Sequence, residues 1–197
     1  MNVNNYTANI LIDDHRFISS CSKFQYLGSI LTPSLQCDTE IDKRIAKAQS
    51  LFFALNKQVF RCQDLDISIR KRIYVALIIN LLLWGCESWP LSAENRRKLE
   101  VFNSRCCRRI LNISIYDVMV DHSLTNIKER IETGINTMES YIELRRARWL
   151  EKIANMKSDR IPSLLLGAWL PYARKTGKPF QTIRHGYVRT YTRNSRF

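Results

Sequence analysis

The sequence predicts a mainly α-helical bundle with a small N-terminal β-hairpin and a basic C-terminal tail. Three observations predict it. Apolar residues recur every three or four positions across 38–61, 92–111 and 138–156, the period of a helix with one buried face. Between the first two stretches, Val75 to Trp84 is apolar except for Asn80. This run reads as a core helix buried on nearly all sides, since a membrane span needs about 20 apolar residues. Strand-forming residues concentrate between 8 and 32.

A chain of 197 residues with 45% hydrophobic content is long enough for one folded domain, or a domain plus a tail. Its formal net charge of +13 implies an anionic partner. Nucleic acid is the usual one, and an acidic membrane surface is the rival. Residues 172–197 hold seven Lys and Arg and no acid. The six cysteines include no Cys-x-x-Cys pair, and His122 stands apart, so neither a metal site nor a cofactor is expected. The first residues have no basic start followed by an apolar run, so a secretory leader is not expected. The cysteines are accordingly expected to be reduced and buried.

Taken in order, Ala8–Ile12 is apolar except for Asn9 and ends at Asp13-Asp14-His15, a polar turn, before Phe17 and Ile18 start a return strand. Phe24 to Leu31 reads as a further strand, halted by Pro33. A helix over 38–61 follows, with Ile41, Ile45, Ala48, Phe52, Leu55 and Val59 as its stripe. Asp38 or Thr39 is its expected cap, with Glu40 and Asp42 suited to the positive end of the dipole. Ser68 is expected to open the helix over 68–84. Gly85 and Pro90 then punctuate the chain, and Ser92 sits where an N-cap belongs.

The helix over 92–111 places Leu99, Phe102, Cys106 and Ile110 on one face. Its other faces carry Arg96, Arg97, Lys98, Arg105, Arg108 and Arg109, with Glu100 the only carboxylate between Arg96 and Leu111. A short helix is expected at 126–132, stopped by Gly134. The helix over 138–156 has Met138, Ile142, Trp149, Ile153 and Met156 along one side and Arg145, Arg146 and Arg148 in its middle. Beyond Pro171 no apolar period remains, and Lys175, Lys178 and Arg184 belong to a basic tail. The expected divisions are thus 1–37, 38–112, 113–170 and 171–197.

Five short blocks stand in order: Phe24–Ser29, Trp84–Trp89, Arg105–Leu111, Arg145–Leu150 and Thr176–Pro179. Together they resemble the C-terminal part of non-LTR (LINE-type) retrotransposon reverse transcriptases. That family has a Phe-x-Tyr-Leu-Gly-Ser hairpin before a helical thumb, then Tyr-Gly-x-Glu-Ser/Thr-Trp, Arg-Cys-Leu-Arg-Arg-Ile-Leu, Arg-Arg-Leu-Arg-Trp-Leu-Gly-His and a basic Thr-Gly-Arg-Pro segment. The resemblance implies a primer-grip-like hairpin segment over 1–37, a thumb-like helical bundle over 38–112 and connector helices over 113–170. Here Cys107 replaces a leucine, and Glu151-Lys152 replace Gly-His. The family's palm, with the carboxylates that hold two metal ions for phosphoryl transfer, has no counterpart. Leu11-Ile12-Asp13-Asp14 imitates a palm motif but lacks its aromatic residue and reads as a hairpin turn.

The expected function is therefore non-catalytic nucleic-acid binding, to a DNA, RNA or hybrid duplex, with no activity of its own. The candidate contacts are Arg96, Arg97, Lys98, Arg105, Arg108, Arg109, Arg145, Arg146, Arg148, Lys175, Lys178 and Arg184. No membrane or small-molecule partner is expected, a separate palm-containing chain is a further possible partner, and an intracellular, nuclear location is expected. The alternatives are a protein–protein module and a relic of a mobile element without function. Trp84, Trp89 and Trp149, each beside an apolar run, are expected to pack in the core rather than stack on bases.

Overall fold

Ile10–Asp13 (β1) pairs antiparallel with Arg16–Ile18 (β2), and Phe24–Tyr26 (β3) with Ser29–Leu31 (β4), as two separate two-stranded hairpins. The computed structural model describes residues 10–13, 16–18, 21–32, 37–114, 116, 133–157 and 159–167. Two hairpins replace the single one expected. Phe24 to Leu31 is not one strand, because it reverses at Leu27 (φ 47°) and Gly28 (φ 84°). Two successive left-handed residues make the two-residue turn whose twist matches its strands. For Leu27 that backbone costs about 1–2 kcal/mol, so the hairpin must be held from outside.

The helix that follows holds it. Asp38–Leu55 (α1) continues through a wider π-helical turn over Asn56–Phe60. Glu40 and Arg44 lie on its buried face, with Arg44 Nε donating to Glu40 Oε1 at 2.6 Å. The other Glu40 oxygen accepts the Ile30 N–H at 2.7 Å, and Arg44 Nη2 donates to the Gly28 carbonyl at 2.9 Å. A buried ion pair thus satisfies one backbone group in the turn and one in the strand that leaves it.

The expected helices over 38–61, 68–84, 92–111 and 138–156 are present. Ile67–Ile73 (α2) runs through a π-helical stretch, Tyr74–Ile79, into Asn80–Leu82 (α3), as one rod. Ala93–Ile110 (α4) and Met138–Ala154 (α5) complete the set, followed by Ile161–Gly167 (α6). The expected helix at 126–132 and the tail lie outside the described residues.

Two caps differ from expectation. Cys37 occupies the N-cap position of α1 without a side-chain bond to the helix's own N–H groups, and Asp38 lies inside the helix, where its carboxylate accepts from Asn95. Asp66, not Ser68, caps α2, its Oδ1 accepting the Ser68 N–H at 2.7 Å. Those hydrogen bonds from Ser68 hold the Asp66 carboxyl below its usual range.

The chain divides into two units, Met1–Ile142 and Glu143–Phe197. The core of the first joins α1, the α2–α3 rod and α4. Phe52 and Phe60 stack with centroids 4.3 Å apart, and Tyr74 meets both edge-on at 6.1 and 6.2 Å. Burying each such ring stabilises the fold by about 1.5–3 kcal/mol. In Val75–Trp84, Ile78, Ile79, Leu82 and Leu83 are buried, yet Ala76, Leu77, Asn80 and Trp84 are exposed. The expectation of burial on nearly all sides fails because α1 and α4 cover only part of the rod's circumference. Trp84 is 59% exposed, whereas Trp89 is buried as expected. In the second unit Ile153 is buried, and Trp149 is exposed, against expectation. All six cysteines are free, and Cys37, Cys86, Cys106 and Cys107 are buried. Cys21 is exposed and Cys62 half-buried, since neither lies on a buried helix face.

Arg44→Met is expected to cost about 3–5 kcal/mol in urea denaturation, because it strands the Glu40 carboxylate in the interior. Adding Glu40→Leu should recover part of that loss. A single-mutant cost below about 1 kcal/mol would contradict a hairpin held by this pair.

Candidate nucleic-acid interface

Ser92 caps α4 as expected, its Oγ accepting the Asn95 N–H at 3.2 Å. Leu99, Phe102, Cys106 and Ile110 turn inward as their spacing predicts. Three polar contacts on the same inward side fix how the helix is rotated. Near the N-terminus, the buried Asn95 amide donates to Asp38 Oδ1 of α1 at 2.5 Å. In the middle, Asn103 Oδ1 accepts the Tyr74 hydroxyl at 3.0 Å, while its Nδ2 donates to the Asn136 carbonyl at 3.1 Å. At the C-terminal end, Arg70 Nη1 donates to the Ile110 carbonyl at 2.7 Å and reaches the Phe60 carbonyl at 3.3 Å. The cation also suits the negative end of the α4 dipole.

These anchors were legible only in part. Asn95, Asn103 and Ile110 recur at 8 and 7 positions, the spacing of one helix face, so two asparagines on an apolar stripe were a signal. The cap supplied by Arg70, 40 positions away, had no local signal.

The six cations assigned to this helix separate into two groups. Arg96 pairs with Glu139 at 2.6 Å, and Lys98 with Asp42 at 3.1 Å and Glu94 at 4.0 Å. The hydrogen bond to Asp42 raises the Lys98 pKa. Arg97, Arg105 and Arg109 are exposed and form no ion pair among the described residues, and Arg108 is half-buried beside them. Positions 97, 101, 105 and 109 follow a four-residue step along one face, a ridge about 18 Å long at 1.5 Å per residue. Glu100 does not neutralise that ridge. Its Oε1 accepts from Asn103 at 3.3 Å and its Oε2 from the Met138 N–H at 2.9 Å, where α5 begins.

No family model, curated protein or solved structure matches this chain. Of the remaining candidates, Arg145 and Arg146 are half-buried and Arg148 is exposed, all in the second unit. Lys175, Lys178 and Arg184 lie outside the described residues. In the backbone register of the first hairpin, Asp13 stands opposite Arg16 at the turn end. Among the described residues, no three His, Cys, Asp or Glu side chains converge as a metal would require. No helix there is long and apolar enough to cross a membrane.

Two protonated groups lie behind the ridge. Burial pushes the Cys106 thiol up to about 12 and, with Cys106 and Cys107 as neighbours, raises the Tyr74 phenol well above its ordinary 10.0. Both stay protonated in the fold, while the unfolded chain ionises at ordinary values of 9.0 and 10.0. Above about pH 9 the unfolded state thus binds fewer protons, and stability falls as pH rises. The urea midpoint is expected to decline between about pH 8 and about pH 10.5, and less steeply in Tyr74→Phe. A flat profile would mean that the inner side of α4 is hydrated.

Proposed function

We propose that this chain is a non-catalytic nucleic-acid-binding module, derived from a non-LTR retrotransposon reverse transcriptase, that holds the phosphate backbone of a duplex on the outer face of α4. The carrying observation is the separation of cations on that helix. Arg96 and Lys98 pair within the chain, while Arg97, Arg105 and Arg109 point outward with no ion pair among the described residues. Guanidinium groups on a rigid rod suit phosphate oxygens, because their forked donors match that geometry. Such contacts position a duplex without reading its sequence. The derivation is supported by the five ordered sequence blocks, two of which contribute the hairpin and the arginine ridge.

One observation favours a second reading, a protein–protein module. Ile69, Leu77 and Trp84 are exposed along the α2–α3 rod, and an apolar face of that kind suits a partner protein. The two readings differ in their response to salt, since surface charge pairing is screened and apolar contact is not.

Duplex affinity is expected to fall with salt at a slope of about −0.9 per phosphate neutralised on B-DNA. Replacing Arg97, Arg105 and Arg109 by Ala should flatten the log–log slope by about two to three units and weaken every sequence alike. Replacing Arg96 and Lys98 should leave the slope unchanged, with little effect on stability, because exposed ion pairs are screened by solvent. Thermal unfolding checks that both variants are folded. If the first variant keeps the slope and the second loses it, the ridge is not the duplex site.

A further inference from the structure

We propose that the second unit, Glu143–Phe197, carries a docking site for an anionic lipid surface, with α6 as the segment that enters it. This goes beyond duplex binding on α4, is independent of the arginine ridge, and adds a partner not expected from the sequence. Among the described residues of 143–165, only Ile153 is buried. Leu144, Trp149, Ile161, Leu164 and Leu165 are all exposed.

Helix α6 shows the pattern most sharply. Ile161, Leu164 and Leu165 stand at i, i+3 and i+4 and so share one face. They are 70%, 57% and 56% exposed. Ser163 lies on the opposite side of the helix and is half-buried. The helix thus turns its polar side inward and its aliphatic side outward, the reverse of a surface helix in water. An outward aliphatic face of this kind marks an interaction site.

Charge selects the occupant. The unit holds 13 Lys and Arg against three Asp and Glu, and so ten of the chain's thirteen excess positive charges. Lys157 and Arg160 are exposed just before α6, and Arg174, Lys175 and Lys178 follow it in the sequence. Asp159 is the only acid between Lys152 and Phe197. Residues 161–173 carry no charge and include Trp169 and Tyr172, the aromatic types favoured at headgroup depth. That stretch is shorter than the roughly 20 residues a bilayer span needs. It suits a segment lying in the interface, its aliphatic side among acyl chains and its flanking cations at anionic headgroups. A duplex would satisfy the cations but leave the aliphatic face in water.

The test uses the full chain and sedimentation with vesicles of phosphatidylcholine, alone or with about 30% phosphatidylserine. The phosphatidylserine vesicles should bind about tenfold or more tightly. Leu164→Gln with Leu165→Gln should remove most of that binding and leave duplex binding unchanged, whereas Leu164→Met with Leu165→Met should retain it. Both side chains are exposed, and thermal unfolding confirms that each variant folds. Equal binding to the two vesicles, or to neither, would overturn the inference and leave the face to a protein partner. Binding undiminished in the glutamine variant would also overturn it, since cations alone would then hold the lipid. The Arg97, Arg105 and Arg109 variant should bind vesicles as the wild type does, and a loss there would move the lipid site to α4. Vesicle binding that persists where wild type fails to bind duplex would support this site and remove the α4 reading.

Discussion

The rotation of α4 about its own axis is the constraint on which the rest of the structure depends. An amphipathic helix slides and rotates easily over an apolar surface, because hydrophobic burial has no direction. Hydrogen bonds do have direction, and here they are distributed along the whole helix. Asn95 is tied to Asp38 of α1, Asn103 to Tyr74 of the α2–α3 rod, and the Ile110 carbonyl to Arg70. A rotation by one residue would bury Arg97 or Arg105 and leave these polar groups without partners, each at about 1–3 kcal/mol. The outward direction of the arginines is therefore set by what lies on the opposite side.

The same logic places the hairpin. A two-stranded hairpin is marginal alone, and Leu27 adds backbone strain. Glu40 and Arg44 supply the missing partners from within α1, the helix that also receives Asn95. Helix α1 is thus the common support of the hairpin and of α4. Ser29 against Gly85 links that support to the end of the α2–α3 rod.

Helix extents were legible in the sequence because a period of three to four in apolar residues survives any detail of packing. The Ser92 cap of α4 was legible too, but the caps of α1 and α2 were not, because a capping oxygen can be claimed by a distant partner, as Asn95 claims that of Asp38. The apolar run at Val75–Trp84 gave no sign of which side would lack a neighbour. Composition alone cannot tell a rod covered all round from one covered in part. Six cations on one helix were visible, but their division was not. Arg96 meets Glu139 and Lys98 meets Asp42 across 43 and 56 positions, and no local pattern encodes such pairs. The turn at Leu27-Gly28 was hidden for another reason: a leucine rarely takes positive φ.

Buried contacts sort the arginines of the first unit into a structural set and an outward-facing set. Arginine side-chain NMR, following each Nε–Hε signal during titration with a short duplex, tests it most directly. Arg97, Arg105 and Arg109 should shift together with duplex concentration, while Arg44 and Arg70 stay fixed at their carboxylate and carbonyl partners. Shifts confined to arginines of residues 172–197, or movement of Arg44 and Arg70 without the ridge, would contradict it.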